Sequence, residues 1–250
     1  MSAPGKRARA RPHPLTRKGR VLARSSSATS TQFIDLASVA AARTRVPGLE
    51  LSSDPVIFGV DCARFDEDHS ALAIRCGNDA RSRPWQRWQR REPMMLAHDI
   101  ALAAARWKPD AIFVDAGNIG AAVVDRLRQL GVENVFEVWF DSKRVREAQG
   151  VGGKHIRVAN RRAEMWTHMR QWLEGGCIPD RQGLEDDLAG PRYSLDADQA
   201  VRLEEKKDMK GRGLASPDDA DALACTFAEP TLPRAVPGWL DPSRYRAGRR

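Results

Sequence analysis

Val56-Ile57-Phe58-Gly59-Val60-Asp61, followed by Cys62-Ala63-Arg64-Phe65, is the stretch from which the fold of this 250-residue chain is read. Mostly β-branched or aromatic residues run without a charge into a single aspartate. A short continuous apolar run of this kind predicts a strand over residues 56–62 that is buried on both faces, as in a sheet covered by helices. A carboxylate carried into such a strand is costly unless a cation meets it.

The pattern continues outward from that strand. The turn Asp66-Glu67-Asp68-His69-Ser70 leads to a second strand over 71–76, and residues 85–91 alternate as a third, half-exposed one. Pro93 opens a helix running to Trp107, with Leu96, Ile100, Ala103, Ala104 and Trp107 on one stripe. Ala111-Ile112-Phe113-Val114-Asp115 is another buried strand that ends in aspartate. Gly117 and Gly120 bracket the turn into a helix carrying Val123, Val124, Leu127 and Leu130, which Gly131 closes. A strand follows at 135–140. Residues 141–159, with Gly150, Gly152 and Gly153, read as a mobile loop. Residues 161–174 form a helix with Met165, Trp166, Met169, Trp172 and Leu173 inward, stopped by Gly175-Gly176. Residues 195–203 suit a hairpin around Asp196-Ala197-Asp198. A basic loop then leads to a last helix from Ser216 to about residue 228. Strands interleaved with helices predict an α/β domain, a mixed β-sheet flanked by helices.

Composition sets the limits of the chain. Residues 1–24 hold eight basic groups and no acid, which equals the whole net charge of +8, so the body is balanced. Residues 1–31 are Arg, Pro, Ser, Thr and Ala with almost no large apolar groups, and are expected to form a disordered basic tail able to bind polyanions without sequence preference. Residues 32–54 read as a linker with a short helix, 55–230 as one domain, and 231–250 as a Pro/Arg-rich tail. No apolar run approaches a membrane span, and the N-terminus lacks the apolar segment of a signal peptide. The cysteines Cys62, Cys76, Cys177 and Cys225 form no C-x-x-C pair, which argues against structural zinc. No G-x-x-x-x-G-K-[ST] segment is present, so the sequence offers no P-loop ATPase.

The chemistry lies in the carboxylates. Asp61 and Asp115 each end a predicted central strand, the edge at which open α/β sheets bind ligands. Asp115 could alternatively cap the following helix. A third group is Ser216-Pro217-Asp218-Asp219-Ala220-Asp221. Ser216 as cap, Pro217 at the first helical position and Asp219 two further on make a capping box, which accounts for Asp218 and Asp219 without function. It leaves Asp221 unexplained, and Asp218 and Asp221 share a helical face. Carboxylates from two strand ends and one helix suit a hard divalent cation, and two such ions would serve phosphodiester hydrolysis. Lys206, Lys207, Lys210 and Arg212, around Gly211 and Gly213, read either as a solvated charged hairpin or as a flexible loop gripping a DNA backbone. Arg64 and Arg161-Arg162 are secondary candidates for the same role.

At these residues the chain resembles the C-terminal nuclease domain of the large terminase subunit of tailed bacteriophages, an RNase H-like fold. The resemblance rests on Gly59-Val60-Asp61-Cys62-Ala63-Arg64-Phe65 with Asp68, Val114-Asp115-Ala116-Gly117 through Gly120 and Asp125-Arg126-Leu127. It continues through Asn160-Arg161-Arg162-Ala163-Glu164-Met165-Trp166, Arg202-Leu203-Glu204 with residues 206–213, and Ser216-Pro217-Asp218-Asp219-Ala220-Asp221-Ala222-Leu223. It implies an endonuclease that cuts concatemeric viral DNA during packaging in the host cytoplasm, using two Mg²⁺ or Mn²⁺ ions. Asp61 and Asp115 would hold the metals, with Asp218 or Asp221 completing the site, and Asp221 is preferred because capping does not explain it. The resemblance also implies double-stranded DNA as substrate and the small terminase subunit and portal as partners. Family members usually carry a packaging ATPase domain ahead of the nuclease, where this chain has the basic tail. The expectation is therefore an isolated domain, a split gene, or a nuclease that works with a separate ATPase chain. Two other readings compete: a non-catalytic module that docks DNA or procapsid through the basic tail, and a junction-selective nuclease of the same fold.

Overall fold

The structure is a computed structural model that describes residues 31–48, 54–63, 68–142, 146–153, 155–181 and 183–232. The two expected tails lie outside these residues, apart from Thr31, Thr231 and Leu232. In chain order the elements are β1 (Thr31–Gln32), α1 (Leu36–Thr44), β2 (Val56–Asp61), β3 (His69–Cys76), β4 (Gln86–Gln89), α2 (Pro93–Trp107), β5 (Ala111–Asp115), α3 (Gly120–Gln129), β6 (Val135–Val138), β7 (Arg146–Gln149), β8 (His155–Val158), α4 (Arg161–Trp172), α5 (Leu184–Ala189), β9 (Arg192–Leu195), β10 (Val201–Leu203), α6 (Lys206–Gly211) and α7 (Asp218–Cys225).

β2 lies at the centre of a five-stranded mixed sheet of order β4-β3-β2-β5-β6. It pairs antiparallel with β3 and parallel with β5, and β5 pairs parallel with β6. All six residues of β2 are buried, as its unbroken apolar run requires. Successive side chains take opposite faces. Val56, Phe58 and Val60 join Ile112, Val114 and the inward stripes of α2 and α3. Ile57, Ala71, Ala73 and Phe113 join Met165, Trp166 and Met169 of α4 and Ala220, Leu223 and Ala224 of α7.

A second five-stranded sheet, of order β1-β9-β10-β8-β7, is foreseen only in its antiparallel β9–β10 pair, the hairpin expected at 195–203. Its strands are short, and β9 is mostly exposed, so neither alternation nor an apolar run announces it. Residues 141–159, expected as a mobile loop, instead carry the antiparallel pair β7–β8, turning through Gly152 and Gly153 at φ 71° and 73°. Among the described side chains of those two strands, only Ala148 and Val158 are fully buried, which leaves no pattern to read. The basic loop expected after β10 is the six-residue helix α6, seated by the single buried side chain Met209. α5 also has no sequence-based counterpart. It is short, and it is anchored by Leu184 and Leu188 one turn apart.

Gly59 sets the distance between β2 and α7. A Cβ there would lie 2.0 Å from the carbonyl oxygen of Ala222 and 2.9 Å from Cγ2 of Thr226. The first of these is backbone and cannot step aside. Gly59→Ala is expected to cost at least about 1–3 kcal/mol of stability through overpacking. Gly211→Ala, where a Cβ meets nothing within 4 Å, is expected to leave stability unchanged. Urea denaturation midpoints of the two variants check this.

Candidate active site

Asp61 and Asp115 end neighbouring parallel strands. The register Val60↔Val114 sets them side by side, and strand alternation turns both toward the face covered by α7. Asp115 does not cap α3, whose first residue follows Ile119. Its Oδ1 instead accepts the Gly117 N–H at 3.1 Å.

α7 delivers the remaining carboxylates. The capping box expected at Ser216 does not form. Pro217 occupies the cap position, no side chain caps the helix, and Ser216 Oγ is buried without a hydrogen bond. The acids that were to serve as caps are consumed in buried contacts. Asp218, Asp219 and Asp221 are all buried, the last completely. Asp218, Asp221, Ala222 and Cys225 follow helical spacing, and this stripe lies against Gly59.

Lys206 fills the space between these groups. Its Nζ is 2.8 Å from Asp61 Oδ2, 3.2 Å from Asp221 Oδ2 and 3.6 Å from Asp218 Oδ1. Burial opposes its charge, but Asp61, Asp221 and Asp218 outweigh that and raise its pKa well above the ordinary lysine value. Burial pushes the Asp61 carboxyl well up, and although Lys206 pulls against this, the charges of Asp221, Asp218 and Asp115 add to the rise. Burial also lifts Asp115 to about 6, countered by the Gly117 N–H and Lys206 and supported by Asp221 and Asp141.

Asp218 and Asp221 stand in different surroundings. Arg162 grips Asp221 with two prongs, Nε to Oδ1 at 2.9 Å and Nη2 to Oδ2 at 3.2 Å, and Trp166 Nε1 donates to Oδ1 at 2.8 Å. These partners overcome burial and hold its carboxyl below the usual range. Asp218 accepts one hydrogen bond, from the His69 N–H to Oδ2 at 2.8 Å, while its buried Oδ1 has none.

The cluster opens into a cavity of about 1030 Å³ whose walls include Asp61, Asp68, Asp115, Trp139, Asn160, Arg202, Lys206 and Lys207. Among the described residues, no three His, Cys, Asp or Glu side chains as arranged form a group able to hold a metal ion. The ammonium of Lys206 is the cation that stands among them.

The basic residues singled out in the sequence scatter. Lys206 is inside the cluster and Lys207 is on the cavity wall. Lys210 pairs with Asp68 at 2.8 Å, Arg212 is tied to Glu204 at 2.6 Å, and Arg64 lies outside the described residues. Arg162, considered for a DNA backbone, is buried on Asp221. Trp166 packs inward as its helical spacing predicts, and its indole N–H also donates to Asp221. Asp141 on the cavity wall was missed, because nothing in its sequence neighbourhood marks it.

Asp219 faces a second charged cluster that the sequence did not reveal. Arg87 Nε lies 3.2 Å from its Oδ1 and Arg181 Nη1 3.4 Å from its Oδ2, and its N–H donates to Asp187 Oδ2 at 3.2 Å.

No protein-family model matches the chain, and no curated protein matches it in sequence. Solved structures do. The nuclease domain of the large terminase subunit gp2 of bacterial virus Sf6 superposes with a TM-score of 0.65 at 15% identity, covering 80% of this chain and 100% of that one. The large terminase nuclease of thermophilic phage G20c with bound magnesium gives 0.56 at 13%, covering 81% and 99%. The large terminase nuclease domain of Thermus phage P74-26 gives 0.51 at 12%, covering 77% and 93%. The chain has the RNase H-like fold of phage large-terminase nuclease domains. Among these structures, the Sf6 forms solved with manganese or calcium are of a lysine-to-alanine variant. No helix among the described residues is long and apolar enough to cross a membrane.

Asp187 is pushed up to about 7 by burial and by the charge of Asp219. Its folded pKa is above the ordinary carboxyl value, so the stability it lends is full below about pH 4 and is lost as pH rises toward 7. Asp187→Asn keeps an oxygen acceptor for the Asp219 N–H and cannot ionise. Its melting temperature is expected to exceed wild type at pH 8 and to match it near pH 4, as thermal denaturation at both pH values would show.

Proposed function

We propose that this protein is a metal-dependent endonuclease that hydrolyses phosphodiester bonds of double-stranded DNA during phage genome packaging. The observation that carries the reading is that Asp61 and Asp218 converge on one cation, with Asp115 beside Asp61 on the neighbouring strand, at the C-terminal edge of parallel strands and beside a cavity. The magnesium and manganese in neighbouring terminase structures support Mg²⁺ or Mn²⁺ as the cofactor.

The residues fit such ions. The donors are all carboxylate oxygens, as hard divalent cations require. Asp218 Oδ1, buried and without a hydrogen bond, is an oxygen awaiting a partner. Asp61, Asp115 and Asp218 would hold the metal. Asp221, saturated by Arg162 and Trp166, instead anchors the start of α7 and the Lys206 ammonium. This reverses the preference for Asp221 drawn from capping. When bound, two ions activate a water and stabilise the leaving oxygen. The protein's own part is to aim the carboxylates and to offset the repulsion between them. Lys206 does so before metal arrives, and its flexible stem lets the ammonium withdraw. Arg202 and Lys207 on the cavity wall are suited to the phosphate backbone. Packaging in the host cytoplasm with a separate ATPase chain, the small terminase subunit and the portal belongs to the same proposal.

Supercoiled plasmid incubated with Mn²⁺, Mg²⁺ or EDTA tests the reading. Metal-dependent nicking is expected, with a loss of at least about 100-fold in Asp61→Ala and Asp218→Ala. Undiminished cutting by Asp61→Ala would overturn the assignment. Lys206→Ala leaves the carboxylates repelling one another. It is expected to melt earlier than wild type in EDTA and to gain more thermal stability from Mn²⁺. A smaller gain than wild type would remove Lys206 from the metal's place.

A further inference from the structure

Trp139 is 52% exposed, whereas every other tryptophan among the described residues is buried or half-buried. It stands on the wall of the cavity that contains Asp61 and Asp115, together with Asn160, Arg202 and Lys207. No aromatic or cation–π partner covers its ring among the described contacts.

The indole is nevertheless presented on rigid backbone. Val138, the residue before it, is in register with Asp115, and its carbonyl accepts the Ala116 N–H at 2.8 Å. The Trp139 carbonyl accepts the Ser142 N–H at 3.1 Å, and the carbonyl of Phe140 accepts the Arg162 N–H at 3.1 Å, from the first turn of α4. The same framework thus fixes Asp115, Arg162 and the position of the indole. An indole left half in water forgoes part of the free energy that burial would give. The cavity is also far larger than a pair of ions needs, and falls at the upper end of the range for organic ligands.

Resting on the nuclease reading, we infer that Trp139 is a stacking platform for a nucleobase of the strand being cut, one unstacked from the duplex beside the scissile phosphate. An aromatic face accepts any base, so it grips without selecting sequence. Arg202 and Lys207 would hold the flanking phosphates while the indole takes the base, a division of labour common to proteins that bind single strands. The indole would then fix the position of the phosphodiester relative to the carboxylates. Trp139 would be a substrate-binding residue rather than one that takes part in the bond exchange.

The test is a cycle of two proteins and two DNAs: wild type and Trp139→Ala, each given a linear duplex and the same duplex with a run of abasic sites in one strand. On the intact duplex, cutting in Mn²⁺ of the strand that corresponds to the abasic one is expected to fall roughly 5- to 100-fold in the variant. The two proteins should cut the abasic strand equally within the abasic run, where there is nothing to stack. Trp139→Phe should recover most of the loss and Trp139→Leu little of it. Equal losses on both DNAs, no loss on either, or full recovery by leucine would overturn the stacking role. Fluorescence anisotropy of the same four pairs in EDTA reads binding without cutting. The same dependence on bases there, without cutting in any metal, sinks the nuclease reading and keeps the platform. Cutting with no such dependence does the reverse.

Discussion

The absence of a side chain at Gly59 is the constraint on which the site depends. β2 is the central strand of its sheet, and the Ala222 carbonyl of α7 rests where a Cβ would project. Strand alternation puts Asp61 on the same face two residues later. Helical spacing puts Asp218 and Asp221 on the α7 stripe that meets it. One close approach therefore turns three carboxylates from distant parts of the chain into neighbours. A methyl group at position 59 would lift the helix and open the cluster from below.

That approach creates an electrostatic problem, and α4 and α6 answer it. Several carboxylates brought together out of water repel one another and resist ionisation. Arg162 and Trp166, from α4, satisfy Asp221 completely. Lys206, from α6, spans Asp61, Asp218 and Asp221. On the far side of α7, Arg87 and Arg181 do the same for Asp219. The compensation is uneven by position. Asp221 collects two bonds from Arg162, one from Trp166 and the Lys206 ammonium, whereas Asp218 Oδ1 has that ammonium at 3.6 Å and no hydrogen bond. That imbalance sets apart two carboxylates that share one helical face.

Much of the first sheet was legible. The apolar runs at Val56–Asp61 and Ala111–Asp115 and the stripe over Pro93–Trp107 fall where the structure has β2, β5 and α2, because continuous burial and helical periodicity both leave a trace in one dimension. The second sheet left a trace only in its β9–β10 hairpin. Its strands are short and mostly polar, and they hold their places by pairing with partners up to 162 residues away, as Thr31 does with Tyr193. The region after β10 misled for a related reason. A helix seated by Met209 alone has no stripe, so its lysines read as a loop.

The sequence by itself determined the α/β class, the strand-end positions of Asp61 and Asp115, and the pairing of Asp218 with Asp221 on one helical face. All of these follow from local spacing. Only the tertiary structure decided which partners each carboxylate meets. Capping and ion pairing compete for the same acids, and the outcome depended on Arg162, Trp166, His69 and Lys206, which are distant in sequence. The function of a charged group is set by the partners that packing delivers to it, and spacing along the chain does not encode them.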